Sequence, residues 1–211
     1  MQDEQQNRNM SKISKICVYC GSGGGTDPAF VAAATDFGRI MAETGVGLIY
    51  GGGDMGMMGT VADAVRAHGG EVTGIIPQFL LTKERQGRNG AGLIVTKDMH
   101  ERKMKMFEMA DAFVAMPGGI GTLEEIVEQM TWAQLGRHKK PILLANIENF
   151  WEPLCTLLDH MRTTEFIRAE FNFDLLIANK TEDILPMLQK AAASVSDDAK
   201  AMKAVAPEKL A

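Results

Sequence analysis

The 211-residue sequence has only three cysteines, and an odd number does not build a disulfide framework. Cys17 and Cys20 have C-x-x-C spacing in CVYC, but they lie inside an apolar, strand-like run. A redox pair opens a helix instead, and no second cysteine pair or nearby histidine completes a zinc set. Two buried strand residues are the simpler reading. Histidine is scarce too: His68, His100, His138 and His160 are scattered and form no H-E-x-x-H pair, so no metal is expected. Positive charge is not in excess either. Twenty-two Lys and Arg against 27 Asp and Glu leave a net charge of −5, which argues against a nucleic-acid partner. No apolar run is long enough to span a bilayer, and the polar start MQDEQQNRNMSKISK is unlike a signal peptide. The expectation is a cytoplasmic protein without a membrane or nucleic-acid partner.

What is present is a repeating alternation. Short apolar runs (ISKICVYCGS, VGLIYGGG, EVTGIIP, LIVT, DAFVAMPGG, KPILLAN, FDLLIAN) are separated by longer amphipathic stretches. That alternation is the βαβ signature of a parallel sheet covered by helices. The helix signals are explicit in DPAFVAAATDFGRIMAETG: Asp27 as N-cap, Pro28 at the first helical position and Gly45 as stop. The fold class is α/β: a single doubly wound, Rossmann-like domain over 14–195 with a mainly parallel sheet. Residues 1–13 and the Ala- and Lys-rich 196–211 read as flexible tails. Pro186 is expected to kink the last helix. Fifteen methionines, several at helical spacing, read as flexible core filler.

Three of the strands end in glycine-rich turns: CGSGGGTD (20–27), YGGGDMGMMG (50–59) and PGGIGT (117–122). In a parallel sheet these turns share one edge, where glycine permits close backbone approach and the next helix offers unpaired N–H groups. Three together suit a phosphate or nucleotide. The second turn contains Gly51, Gly53 and Gly56, a formal G-x-G-x-x-G. The acid at dinucleotide distance, Glu71, opens its strand and so belongs to the opposite edge, which disfavours hydride transfer. The third turn has no following lysine, so it is not a P-loop. It leads instead into Glu124 and Glu125. On the helix it opens, Glu125, Glu128 and Trp132 share a face.

Near that face, MHERKMK (99–105) supplies Arg102 and Lys103 from a helix after another strand. A crevice with glycine turns, cations and a separate carboxylate fits a substrate anionic at one end and cationic in transit at the other. A nucleoside 5′-monophosphate has that character, because cleavage of its glycosidic bond passes through an oxocarbenium-like sugar. The turns at 51–56 and 118–122 would then hold phosphate, Gly52 and Gly53 included.

These motifs together resemble the LOG ("Lonely guy") family of cytokinin riboside 5′-monophosphate phosphoribohydrolases, whose members often carry the label "lysine decarboxylase". The family's P-G-G-x-G-T-x-x-E stands here as Pro117 to Glu125, and MHERK, TWAQLG (131–136), CVYCGS and YGGGDMGMMG also fit. The resemblance covers about residues 14–190. It implies hydrolysis of plain or N6-modified adenosine monophosphate to free base and ribose 5-phosphate, without metal or organic cofactor. By position, Arg102 and Glu125 match the catalytic pair. Lys103, Gly118, Gly119, Gly121, Thr122 and Thr131 match nucleotide-binding positions, and Glu84 matches a substrate-contacting glutamate. Ser22, Met99 and Glu128 complete the candidate substrate-binding set. A homodimer or dimer-based oligomer is also implied. A pyridoxal decarboxylase is disfavoured, since Lys103 sits among charged residues in an anion site. The alternative from another class is a non-catalytic nucleotide carrier or sensor on the same fold.

Overall fold

The computed structural model describes residues 13–81, 92–168 and 174–205, with side chains as far as 195. Seven strands run in chain order: β1 (Lys15–Tyr19), β2 (Gly47–Tyr50), β3 (Val72–Pro77), β4 (Leu93–Thr96), β5 (Ala112–Ala115), β6 (Ile142–Ala145) and β7 (Leu175–Ala178). They form one sheet in the order β4-β3-β2-β1-β5-β6-β7, and every pairing is parallel. The helices are α1 (Pro28–Glu43), α2 (Gly56–Ala67), α3 (Met99–Met109), α4 (Ile120–Gln134), α5 (Glu152–Thr163) and α6 (Thr181–Val205). The chain is therefore the expected doubly wound α/β domain.

Alternation along each strand sends side chains into two cores. In β1, Ile16 and Val18 join Phe37 and Met41 of α1, Val61 and Val65 of α2 and Ile184 of α6. Cys17 and Tyr19 point the other way, to Met106 of α3, Ile126 of α4 and Leu158 of α5. Side chains of this size contribute about 1.5–3 kcal/mol each when fully buried, so the two layers outweigh any single cap or ion pair. The methionines serve as filler: Met57, Met58, Met106 and Met130 are all buried. Cys17 and Cys20 fall in different cores, which separates the two thiols by the sheet itself. Burial pushes both thiols well above their ordinary range, as a structural rather than a reactive role requires.

Local signals hold at the ends of elements. Asp27 caps α1 by accepting a 2.9 Å hydrogen bond from the Ala29 amide, and Gly45 follows with φ +72°. Pro186 lies in the second turn of α6, and the helix runs on through it to Val205. Ala- and Lys-rich sequence has high helix propensity, so an established helix can continue through it.

Strand order reverses between β1 and β5, and the crevice outside their carboxyl ends is where such sheets bind ligands. All three glycine turns meet there. The Gly21 amide donates to the Pro117 carbonyl at 3.1 Å, and the Met58 and Met57 amides donate to Gly21 and Gly23 at 3.2 and 3.3 Å.

Candidate active site

Arg102 reaches the crevice because α3 starts at a fixed residue. The Asp98 carboxylate accepts from the Glu101 amide at 2.8 Å, while the Glu101 side chain accepts from the Lys97 amide at 2.9 Å. This reciprocal cap satisfies amides at both sides of the helix start. Its first hydrogen bond holds the Asp98 carboxyl below the usual carboxylate range. One turn later Arg102 is buried; its Nε donates to the Ile75 carbonyl at 3.0 Å, and its Nη1 lies 2.9 Å from Glu125 Oε1. Met99 places its thioether 3.9 Å from the same nitrogen. A Cβ at position 51 would collide with Nη2, so Gly51 is the seat of the guanidinium. In the sequence Gly51 stands in a formal glycine pattern and in the turn expected to hold phosphate; the signal for its role beside Arg102 is a glycine directly after a strand.

Glu125 lies in the second turn of α4. The N-cap of this helix, Gly119, has no side chain, so the amides of Ile120, Gly121 and Thr122 are free of any side-chain cap. Gly119, Ile120 and Gly121 are exposed, whereas Thr122 is buried under Gly118. A Cβ on Gly118 would strike the Thr122 side chain and approach the Gly21 amide at 2.8 Å. Gly118 thus lets the first and third turns touch.

The second turn is built differently from the third. Gly52 and Gly53 are buried, and Gly52 has φ +81°. The Met57 and Met58 amides at the start of α2 are spent on the first turn, so this helix end offers an anion less than α4 does. Ser22 is exposed, and its carbonyl fills the space where a Gly56 side chain would be. Glu71 pairs with Lys15 at 2.7 Å where their strands begin, on the edge away from the crevice.

Glu125, Glu128 and Trp132 do share a face, and it is turned to α3. Glu125 meets Arg102, Glu128 meets Lys103 at 2.9 Å, and the Trp132 ring stands edge-on to Phe107 at 4.9 Å. Lys103 also bonds Glu124 at 2.7 Å. Burial works to lower its pKa, but the two carboxylates outweigh that and raise it. Thr131 stands apart: it is exposed, and its hydroxyl folds back onto the Val127 carbonyl at 2.8 Å. Glu84 lies outside the described residues. Among the described residues no cluster of His, Cys, Asp and Glu has metal-site geometry, and no helix is long and apolar enough to cross a membrane. A cavity of about 820 Å³ lies at the opposite edge, lined by Lys139, Arg162 and Lys190 among others. Of these cations Arg162 stands in the last turn of its helix, where the dipole favours it.

A family model described as "Possible lysine decarboxylase" matches residues 58–188. The cytokinin riboside 5′-monophosphate phosphoribohydrolase LOG of Oryza sativa subsp. japonica is 40% identical over 180 residues, covering 85% of this chain and 74% of that protein. LOG7 of Arabidopsis thaliana, with the same activity in its name, is 39% identical over 85% of this chain and 83% of its own. The chain belongs to the LOG family. Among solved structures, it is similar to the Moco carrier protein of Chlamydomonas reinhardtii, at 20% identity and a TM-score of 0.63, over 87% of this chain and 99% of that one. The molybdenum cofactor binding protein of Rippkaea orientalis gives 20% and 0.60, over 85% and 97%. Those likenesses speak to the fold alone. The decarboxylase description of the family does not fit Lys103: a Schiff-base lysine must lose its proton, and two carboxylates hold this one charged.

Proposed function

We propose that this LOG-family protein hydrolyses the N-glycosidic bond of adenosine 5′-monophosphate or an N6-modified form of it. The observation that carries the reading is the buried Arg102–Glu125 pair, 2.9 Å apart, just behind the capless start of α4. The amides of residues 120–122 hold the phosphate with the helix dipole, supported by Gly118 and Gly119. Arg102 orients the ribose phosphate end. As the bond from C1′ to the base nitrogen breaks, its electron pair leaves with the base and positive charge develops on the sugar. The Glu125 carboxylate stabilises that charge or takes the proton of the attacking water. Water oxygen ends on C1′ and a proton on the base, giving free base and ribose 5-phosphate. Glu84 serves the ribose hydroxyls, and Glu128, paired with Lys103, serves local orientation.

The enzyme works in the cytoplasm as a homo-oligomer. Support for assembly comes from exposed apolar residues along α4 and at its C-cap: Ile120 is 81% exposed, Val127 40% and the C-cap Leu135 73%. Thr131 stands on the same outer side, so a dimer through α4 would bring it toward a partner's crevice. A carrier or sensor remains the competing class, and chromatography separates them. Purified protein is incubated with AMP, N6-isopentenyl-AMP and the matching nucleosides. Base release from the monophosphates alone is expected; nucleotide binding with no release would overturn the hydrolase reading.

A further inference from the structure

Adjacent residues on a helix point about 100° apart, and Arg102 and Lys103 use that divergence to grip three carboxylates of α4. Arg102 takes Glu125, while Lys103 takes Glu124 and Glu128, one turn apart on the helix. Only 14% of the Lys103 side chain is exposed, and its ammonium lies 2.7 and 2.9 Å from two different carboxylates. Lysine has three donor hydrogens, and two are spent here. The local sum of Lys103, Glu124 and Glu128 is one positive against two negative charges. A dianionic phosphate would gain little by approaching such a group directly. It would gain much from the partial cancellation of two carboxylates standing a turn or two from its own seat. Glu128 Oε2 is moreover buried without a hydrogen-bond partner among the described residues, so removal of the neighbouring ammonium would leave that carboxylate uncompensated.

We infer that Lys103 is a positioning residue which acts on the substrate through Glu124 and Glu128 and does not ligate the phosphate. It neutralises the acidic face of α4 beside the phosphate seat and ties α3 to α4, so that Arg102 and Glu125 stay in register. The inference rests on the hydrolase reading and departs from the nucleotide-binding role that family resemblance gives this position.

The test compares the effect of Lys103→Met in two backgrounds, the natural one and Glu124→Gln/Glu128→Gln. KM and kcat are measured for base release from AMP, and AMP affinity is measured by calorimetry on the same four proteins. In the natural background Lys103→Met raises KM and weakens AMP binding about tenfold, through unmasked repulsion. In the neutralised background the same change costs less than about twofold, because the repelling charges are gone. Lys103→Arg, which keeps the charge, stays close to the parent in both KM and binding. An equal loss in both backgrounds would overturn the inference and make Lys103 a phosphate ligand. If the natural protein binds AMP but releases no base, the hydrolase reading fails instead, and the calorimetric comparison still decides the role of Lys103. Thermal unfolding of each protein separates lost folding from lost binding; should Lys103→Met fail to fold, Lys103→Gln takes its place.

Discussion

Arg102 Nη1 and Glu125 Oε1 stand 2.9 Å apart across two helices, with their side chains only 8% and 10% exposed. Two charges so far from water are individually costly and mutually dependent. Replacing Arg102 with Met should therefore destabilise the fold by about 3–5 kcal/mol, the usual cost of stranding one member of a buried pair. The double variant Arg102→Met/Glu125→Gln should recover a large part of that loss. Urea unfolding of the two proteins decides it, and equal stabilities would mean the pair is not coupled.

The glycines of the third turn should divide into two groups. Gly118→Ala pushes a methyl group into the Thr122 side chain and the Gly21 amide, so it should lower stability by about 1–3 kcal/mol, as overpacking does. A Cβ at Gly119 or Gly121 meets nothing within 4 Å. Alanine there should leave the unfolding midpoint nearly unchanged while KM for a monophosphate rises. If Gly121→Ala changed neither stability nor KM, the phosphate would not sit on this turn.

Much of this was written in the sequence because the signals were local. Asp27, Pro28 and Gly45 delimit α1, and the strand LIVT spans 93–96 as its apolar run suggests. Glycines after three parallel strands gave the edge on which a site could form. The rest depends on what distant segments do to one another. Nothing near Met57 and Met58 says that their amides are taken by Gly23 and Gly21, which lie more than a helix away in the chain. The residue type of Lys103 suits an anion, and only the packing of α3 beside α4 supplies the two carboxylates with which it pairs. Thr131 matched a binding motif, yet the helical period turns it outward.

The thiols give a test of the two-core arrangement. Cys17 and Cys20 are buried on opposite sides of β1, while Cys155 is only partly covered. A thiol reagent applied to the native protein should label about one cysteine per chain, slowly, and all three after denaturation. Rapid labelling of Cys17 and Cys20, or a reducible bridge between them, would contradict the buried-strand assignment.

The start of α3 should show itself in acid. The native Asp98 pKa lies below its unfolded value, so its contribution is present at neutral pH and is lost as pH falls through the native pKa. Asp98→Ala should lower the thermal midpoint at pH 7, and the gap to the parent should narrow below about pH 4, the unfolded aspartate range. A gap that stayed constant into acid would mean the Asp98 charge is not what holds the cap.

The most direct measurement on the central claim is a paired one on Glu125→Gln: AMP affinity by calorimetry, and base release by chromatography. The variant should keep AMP affinity within a few fold while turnover drops by about a thousandfold or more, the pattern of a group needed chiefly in the transition state. Full turnover by Glu125→Gln, with binding intact, would remove this carboxylate from the reaction and with it the account of the crevice.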